Sequence, residues 1–542
     1  MQRYRNILSI GLLVVALAWT LWFVFAGFGN HQDPLYWLYK YEHLEGGWMA
    51  VGTLLTGGTI VRLFGAQLLP LRLFGWLCTV VAVALPYCFL LNKEQRRGNL
   101  HWLALAYLLM GYGAFQEFSP GTLSVLLLSA IWVCAVKLPI TKNEVNRALA
   151  AENDKLPILT ALLAGLAVSV RFPNILVLLV LIPLWKKRSL WNIPIAALTA
   201  GVVYLLGYWL VTPAPLDAAM TSHEISSMLS KLWSNGGLLV GFLLLGIGVL
   251  AIGDKSVHRT PYTIHHTPYI GVAVGLALVY FIAYAIKPLQ WYNTDLTYLI
   301  AALCLVIACT SYTVHRTPYT LPIGAAILIV ATLGTDTAWL KLFPAVLCLL
   351  PVAGAQQEEG MRKYLWWVLL PVAIIVMARH STNSVGRSNL TKVETLSTTA
   401  PYCGIAITYD EEARLQQYKA DYDSLSSVHR TPYTVHSTPS TILALGQENH
   451  LMRAVTGCEA AKYNEFWSNI FDSVYTAKYS TVIDEERPVV FCAFSPQFKT
   501  KVVYKDKESR MECMLRDKGY RAIDRSAYKY MIYIPDYDEE IQ

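Results

Sequence analysis

The residue of this sequence best suited to acid-base chemistry is Asp33, in the stretch Asn30-His31-Gln32-Asp33-Pro34 after the first long apolar segment. Aromatic residues follow it closely, namely Tyr36, Trp37, Tyr39 and Tyr41. A carboxylate sheltered by such rings at a membrane edge can have a raised pKa and can deprotonate an acceptor hydroxyl or amine. The alternative is a solvated turn, because Asp before Pro is common in turns.

Two further acidic residues, Glu42 and Glu45, lie close behind Asp33. Their spacing predicts that they share one face of a short amphipathic helix, near Lys40 and His43. They are therefore candidates for contact with an acceptor or for lining a cavity. An interfacial helix with an aromatic face and a purely structural role would give the same pattern.

Three arginines, Arg62, Arg72 and Arg171, lie near the predicted outer membrane boundary. A guanidinium can hold a phosphate through two hydrogen bonds, so these residues are candidate ligands for a lipid phosphate. Arginine can equally extend toward lipid head groups without binding a substrate. His223 and Glu224 in a later outer loop are cavity candidates, with ordinary loop polarity as the alternative.

The composition predicts that the chain carrying these residues is a membrane protein. Of its 542 residues, 55% are hydrophobic and only 15% are charged, and the mean hydropathy is +0.40. The apolar blocks predict about thirteen spans, since roughly 20 residues cross the hydrocarbon core. They lie near residues 8–28, 68–91, 100–118, 121–139, 156–170, 172–185, 190–212, 236–253, 269–286, 296–310, 320–334, 340–354 and 364–379. The spans that meet at Arg171 are short, and one broken helix is an alternative.

The distribution of Lys and Arg predicts the orientation. Alternate loops are rich in them, among others at Lys93, Arg96, Arg97, Lys186, Lys187 and Arg188. Cytoplasmic loops carry such an excess, so the N-terminus is predicted inside and both the segment 28–72 and the C-terminal part outside. We interpret residues 8–28 as a retained helix, although a cleaved signal peptide is the rival interpretation.

Residues 380–542 have the composition of a soluble protein, so the predicted domains are a membrane part, 1–379, and an extracytoplasmic α/β domain, 380–542. Strands are predicted at Gly404–Tyr409, Pro488–Phe494 and Tyr528–Ile534, and a helix over Ser509–Gly519 that ends at its glycine.

The cysteines show no metal-like spacing, and disulfides in the part from residue 380 onward are left open. The repeated VHRTPYT words at 257–269, 314–320 and 428–439 favour a tolerated duplication over a metal site.

The layout and its short patterns resemble the GT-C glycosyltransferases, the superfamily of protein O-mannosyltransferases and the lipid A aminoarabinose transferase. The patterns are the early Asp33, Gly46-Gly47-Trp48, Pro70-Leu71-Arg72-Leu73 and Arg171-Phe172-Pro173-Asn174. The resemblance implies that Asp33 is the acid of the first outer loop and that Arg171 holds a donor phosphate. Many members carry adjacent Asp-Glu where this chain has Asp33-Pro34, so the identity of the base and any dependence on a divalent metal stay open.

What the resemblance implies is a mainly α, multi-span enzyme of the plasma (inner) membrane that transfers a hexose or pentose from a polyprenyl-phosphate donor, with inversion, to a lipid, glycan or protein acceptor. Nothing points to nucleic acid as a partner. A transporter or flippase for a lipid or small solute is the alternative and predicts charges deep inside the spans. A non-catalytic membrane scaffold would tolerate substitutions in the opening loop.

Overall fold

The computed structural model describes residues 2–27, 32–46, 48–110, 118–138, 155–185, 191–213, 320–332, 338–356, 366, 369–371, 373–374, 392–428, 442–446, 449–456, 472–493, 510–528 and 530–536. The described part up to residue 374 is mainly helical. Its α-helices are α1 (Gln2–Phe25), α2 (Gln32–His43), α3 (Val51–Phe64), α4 (Leu68–Leu90), α5 (Lys93–Gly98), α6 (Leu100–Leu109), α7 (Pro120–Val136), α8 (Lys155–Val170), α9 (Val177–Trp185), α10 (Asn192–Leu210), α11 (Thr320–Leu328) and α12 (Ala338–Gln356). Two short strands, β1 (Glu45–Gly46) and β2 (Thr212–Pro213), pair in parallel.

Helices that are long and apolar enough to cross a membrane occur at three places in the described residues, Ile7–Phe25, Leu68–Leu90 and Asn192–Leu210. Shorter apolar helices account for several other predicted spans, for example Pro120–Val136 and Lys155–Val170. The predicted spans 236–253, 269–286 and 296–310 lie outside the described residues. The mainly helical character is therefore confirmed, and three of the described helices are long and apolar enough to cross a membrane, while the count of about thirteen stays a prediction.

The helices of the first part pack around large buried aromatic side chains. Trp102, Trp132 and Trp185 are each at most 2% exposed. The Trp132 indole donates a hydrogen bond of 2.9 Å to the carbonyl oxygen of Thr320, which joins α7 to α11. Each buried indole contributes a large apolar contact area to the helix packing, and its N–H group is a potential hydrogen-bond donor.

Residues from 392 onward combine helices with a mixed sheet. The helices are α13 (Tyr409–Val428), α14 (Asn449–Thr456), α15 (Asp472–Glu486) and α16 (Arg510–Asp517), and a two-stranded pair forms from β3 (Thr395–Leu396) and β4 (Ala406–Ile407). A four-stranded sheet has the order β5 (Ile442–Gly446), β6 (Val489–Ala493), β8 (Tyr530–Pro535) and β7 (Tyr520–Arg525). β5 and β6 are parallel, and the other pairs are antiparallel.

The strand predicted over Gly404–Tyr409 is wrong at its C-terminal end, because only Ala406–Ile407 is a strand and α13 begins at Tyr409. A reciprocal cap starts the helix. The Thr408 amide donates to Glu411 Oε2 at 3.0 Å, and the Glu411 amide donates to Thr408 Oγ1 at 3.2 Å. Such a box satisfies two backbone donors that the first helical turn leaves without partners.

Other predicted elements of this part agree with the structure. β6 lies within the predicted strand Pro488–Phe494, and β8 overlaps the predicted strand Tyr528–Ile534. Helix α16 ends before Gly519, whose φ of 75° belongs to the left-handed region that favours glycine. The described cysteines are all free, namely Cys78, Cys88, Cys134, Cys348, Cys403, Cys492 and Cys513.

The C-terminal part shares one hydrophobic core with the segment that follows α1. This core contains Leu35, Leu38 and Leu54 from the first part of the chain and Tyr418 and Phe491 from the last. Backbone hydrogen bonds also join the two parts, from the Gly27 amide to the Ala406 carbonyl at 2.8 Å and from the Leu68 amide to the Pro401 carbonyl at 3.0 Å. The domain boundary between 379 and 380 stays a prediction.

Candidate functional site

The centre of the candidate site is α2, whose apolar face is buried against its neighbours. Leu35, Leu38 and Tyr41 recur every third residue on that face and are at most 2% exposed. The Tyr41 hydroxyl donates a hydrogen bond of 3.3 Å to the Phe118 carbonyl oxygen. Gly57 in α3 makes this packing close, because a Cβ added there would overlap the ring of Tyr41.

Asp33 is the second residue of α2, and Pro34 follows it in the first helical turn. Proline is well tolerated there, because the first turn has no intrahelical partner for its missing N–H. Gln32, Asp33 and Pro34 therefore begin a helix and are not a turn, while the role of the Asp33 carboxylate stays a prediction. The positive end of a helix macrodipole favours a negative charge in the first turn.

The prediction that Glu42 and Glu45 share a helix face is wrong. Helix α2 ends at His43, and Leu44 adopts a positive φ of 45°, so the chain leaves the helical path there. Glu42 is exposed near the end of α2. Glu45 lies in β1, where its Oε2 accepts a hydrogen bond of 3.2 Å from the Tyr39 hydroxyl. Their proposed contact with an acceptor stays a prediction.

The three arginines lie in different surroundings. Arg72 is 1% exposed in α4 and donates a hydrogen bond of 3.0 Å to the Gly27 carbonyl oxygen, an arrangement that favours a structural role. Its predicted contact with a donor phosphate stays a prediction. Arg62 is exposed in the last turn of α3, beside the exposed side chains of Leu63 and Phe64.

Arg171 interrupts the apolar run between α8 and α9, as the sequence predicted. Its backbone is extended, with φ −157° and ψ 116°, and a 3₁₀ helix over Phe172–Leu176 follows. Nη1 donates to the Ala331 carbonyl oxygen, the one hydrogen bond of this guanidinium within the described part of the chain. A guanidinium carries five N–H donors, so the other donors of the half-buried Arg171 have no hydrogen-bond partner among the described residues.

Helix α3 brings the Arg171 break close to α2. The Thr53 hydroxyl donates a hydrogen bond of 2.9 Å to the Val170 carbonyl oxygen, directly before Arg171. Gly57, four residues further along α3, meets α2. The two contacts are about 6 Å apart along the helix axis, at roughly 1.5 Å per residue. Helix α2, which carries Asp33, and the break that carries Arg171 therefore both pack against α3.

His223 and Glu224 lie outside the described residues. Within those residues, no group of three or more His, Cys, Asp or Glu side chains is placed to hold a metal ion.

The C-terminal part contributes residues to this region that the sequence did not single out. Helix α14 packs on the aromatic face of α2. The guanidinium carbon of Arg453 lies 3.8 Å from the centroid of the Tyr39 ring, and the rings of His450 and Tyr36 are 5.5 Å apart, edge to face. A weak signal was present, since His450 and Arg453 are three residues apart in a short stretch between apolar residues.

Burial of His450 should make this contact sensitive to acid. Burial, followed by the charges of Arg453 and Lys40, lowers the pKa of His450 from 6.5 to about 3. The unfolded chain therefore binds the proton first as the pH falls, and stability is lost progressively from pH 6.5 toward 3, on the order of 4 kcal/mol in total. We expect the advantage of the parent over His450→Phe in thermal unfolding midpoint to shrink over this range. A difference that does not change with pH would contradict the assignment.

No known protein family and no curated protein matches the chain. Two solved structures are similar to it over 97% of each chain: ArnT from Cupriavidus metallidurans in the apo state, with 10% sequence identity and a TM-score of 0.42, and the same protein bound to undecaprenyl phosphate, with 11% identity and a TM-score of 0.39. ArnT is an aminoarabinose transferase of the GT-C type. At these TM-scores the likeness carries no argument about activity.

Proposed function

We propose that this protein is a glycosyltransferase that moves a sugar from a polyprenyl-phosphate donor to an acceptor at the outer face of the membrane. The observation that carries the proposal is that α2, whose second residue is Asp33, and the break at Arg171 both contact helix α3. A carboxylate in the first turn of one helix and a guanidinium at the break between two others are the kinds of group that such a reaction requires.

The proposed reaction is a single displacement at the anomeric carbon. The Asp33 carboxylate takes the proton of the acceptor hydroxyl or amine, whose oxygen or nitrogen then forms a bond to the anomeric carbon. The bond from that carbon to the phosphate oxygen breaks, and the polyprenyl phosphate leaves with the electron pair. Arg171 neutralises the departing charge, and the configuration at the sugar is inverted.

The ends of α10 support an outer location for this site. Trp191 is 78% exposed at one end and Trp209 is 77% exposed at the other, about 27 Å away at roughly 1.5 Å per residue. Such aromatic residues mark the two membrane interfaces. The run Lys186-Lys187-Arg188 precedes Trp191 and marks the inner side, whereas β2 follows the Trp209 end and pairs with β1 beside α2.

A transporter for a lipid or small solute is the second candidate, because the broken helix at Arg171 is also a feature of transporter binding sites. The two functions are separated by one assay. Purified protein in liposomes receives undecaprenyl-phosphate sugars together with candidate lipid, glycan and peptide acceptors, and free undecaprenyl phosphate is measured by mass spectrometry. Protein-dependent release with glycosylated acceptor supports the transferase, whereas movement of intact donor between leaflets without release supports the transporter.

Removal of the Arg171 side chain should weaken donor binding. A charged hydrogen-bond donor to a phosphate contributes enough that Arg171→Ala is expected to raise the Kd for undecaprenyl phosphate roughly tenfold to a hundredfold. Arg171→Lys keeps the charge but loses the pair of parallel N–H donors that can bind a phosphate bidentately, and an intermediate Kd is expected. Arg97→Ala, which removes an exposed arginine of α5, is the matched control. Equal affinity in Arg171→Ala and the parent would remove this residue from the phosphate site.

A further inference from the structure

The aromatic face of α2 is held by cationic and imidazole side chains of a helix more than 400 residues later in the sequence. Arg453 stacks over Tyr39 at 3.8 Å, and Lys40 lies over Tyr36 at 5.0 Å, with His450 at the edge of the same ring. Lys40, His450 and Arg453 are each at most 6% exposed. We propose that α14 is a clamp on α2 and that Arg453 and His450 are positioning residues for the catalytic helix.

The clamp contacts occupy one face of α2 and complete its surroundings. Tyr36, Tyr39 and Lys40 are spaced by three and four residues, so they lie side by side on the helix surface. The opposite face carries Leu38 and Tyr41 and is packed on α3. Helix α2 is therefore held between α3 and α14, and its rotation about its own axis is set by both.

The clamp acts one helical turn from the proposed base. Asp33 precedes Tyr36 by three residues in α2, so any rotation or tilt of the helix at Tyr36 is passed on to residue 33. Catalytic groups lose efficiency when displaced by about 1 Å, because the reacting atoms leave their productive geometry. This part of the inference rests on the proposed function, whereas the clamp itself does not.

The rest of the C-terminal part anchors α14 to the body of the protein. Leu451, Met452 and Val455 of α14 belong to the core that the opening segment shares with the sheet. Asp421 of α13 joins the same unit to the sheet: it accepts two hydrogen bonds of 2.8 Å from Arg525 and one from the Tyr530 hydroxyl. A rigidly anchored α14 can therefore hold α2 in place and does not simply follow it.

The clamp is tested by amide hydrogen exchange of the full-length protein in liposomes. In Arg453→Ala the amides of residues 36–43 are expected to exchange on the order of tenfold faster, because a desolvated cation–π contact is lost. The amides of α4 and β6 should exchange as in the parent. Arg521→Ala removes an exposed arginine of β7 and is the matched control. Unchanged exchange in α2 of Arg453→Ala would overturn the clamp.

Tyr39 provides a second test if Arg453→Ala fails to fold. Tyr39→Phe keeps the ring under Arg453 and loses the hydroxyl, together with its interactions with Glu45 and Arg453, so slow exchange in α2 is expected to persist where the stacked ring is what holds the helix. Tyr39→Leu removes the aromatic face and should exchange like Arg453→Ala. Equal exchange in the Phe and Leu variants would show that the stacked cation does not hold the helix.

Kinetics separate the positioning role from general structural damage. In Arg453→Ala we expect kcat for sugar transfer to fall about tenfold with KM for the donor unchanged, and Arg453→Lys to recover part of the loss. An equal loss in the Lys and Ala variants with a normal pattern of exchange would overturn the positioning role. If the parent transfers no sugar at all, the proposed function fails, while the exchange experiment still decides on the clamp.

Discussion

Sugar transfer from an undecaprenyl-phosphate donor is expected to fall by roughly 10²–10⁴-fold when Asp33 is replaced by Asn, the range over which a positioned general base contributes. Asn has nearly the same shape as Asp but cannot take up the acceptor's proton. The change lies in the first turn of α2, where Asn is tolerated, so the fold should survive. The loss of a negative charge at this helix end costs only about 0.3–1 kcal/mol of stability.

The measurement is the initial rate at saturating donor, together with the thermal unfolding midpoint of the same preparation. Glu94→Gln is the matched control, because it removes an exposed carboxylate from the first turn of another helix, α5, to which no role in the reaction is assigned. Transfer by Glu94→Gln should remain close to that of the parent. Full activity in Asp33→Asn would assign the proton transfer to another group.

The sequence predicted helix ends best where the residues of one element alone determine its structure. The C-terminal end of α4 was predicted within one residue, because a segment of 23 residues in which Arg72 is the one charge has one common outcome. The end of α16 two residues before Gly519 was equally local, since a glycine is favoured where the backbone turns left-handed. The interruption at Arg171 could also be predicted, because a charge beside Phe172-Pro173 breaks an apolar helix.

The opening segment was harder to predict because its helices depend on their neighbours. Residues 28–72 were predicted as an outer segment with one short amphipathic helix near Glu42, and they contain two helices, α2 and α3. Helix α3 has 14 residues, too few for an ordinary membrane crossing, and its Gly57-Gly58 pair disfavours a helix on propensity alone. In the structure these glycines let α2 approach, so a feature that weakens the isolated helix is required by the packing.

Contacts between distant parts of the chain account for most of what the sequence did not show. The candidate base and the Arg171 break were identified from residue types, but their common neighbour α3 was not. The clamp by His450 and Arg453 joins α2 to α14 across the length of the chain. Neither helix alone indicates its partner, because aromatic and basic residues on a helix face are equally suited to water, lipid or another helix.

The close approach of α2 and α3 predicts a loss of stability for Gly57→Ala. The added Cβ would overlap the Tyr41 ring, which is 1% exposed and is held by its hydrogen bond to Phe118. Overpacking of this kind costs about 1–3 kcal/mol, and after the roughly 1 kcal/mol that alanine gains over glycine in an unhindered helix the expected net loss is up to about 2 kcal/mol. Gly57→Leu should be worse, and because α2 is displaced, both variants should also lose transfer activity.

Gly201 in α10 is the matched control, since no atom of the described residues lies within 4 Å of a Cβ added there. Gly201→Ala should keep or raise the thermal unfolding midpoint, while Gly57→Ala lowers it. A smaller partner should relieve the clash, so that Gly57→Ala combined with Tyr41→Leu loses less stability than the sum of the single changes. Strict additivity, or a midpoint for Gly57→Ala equal to that of Gly201→Ala, would show that α2 does not depend on Gly57 for its place, and the arrangement of the candidate site on α3 would then have to be revised.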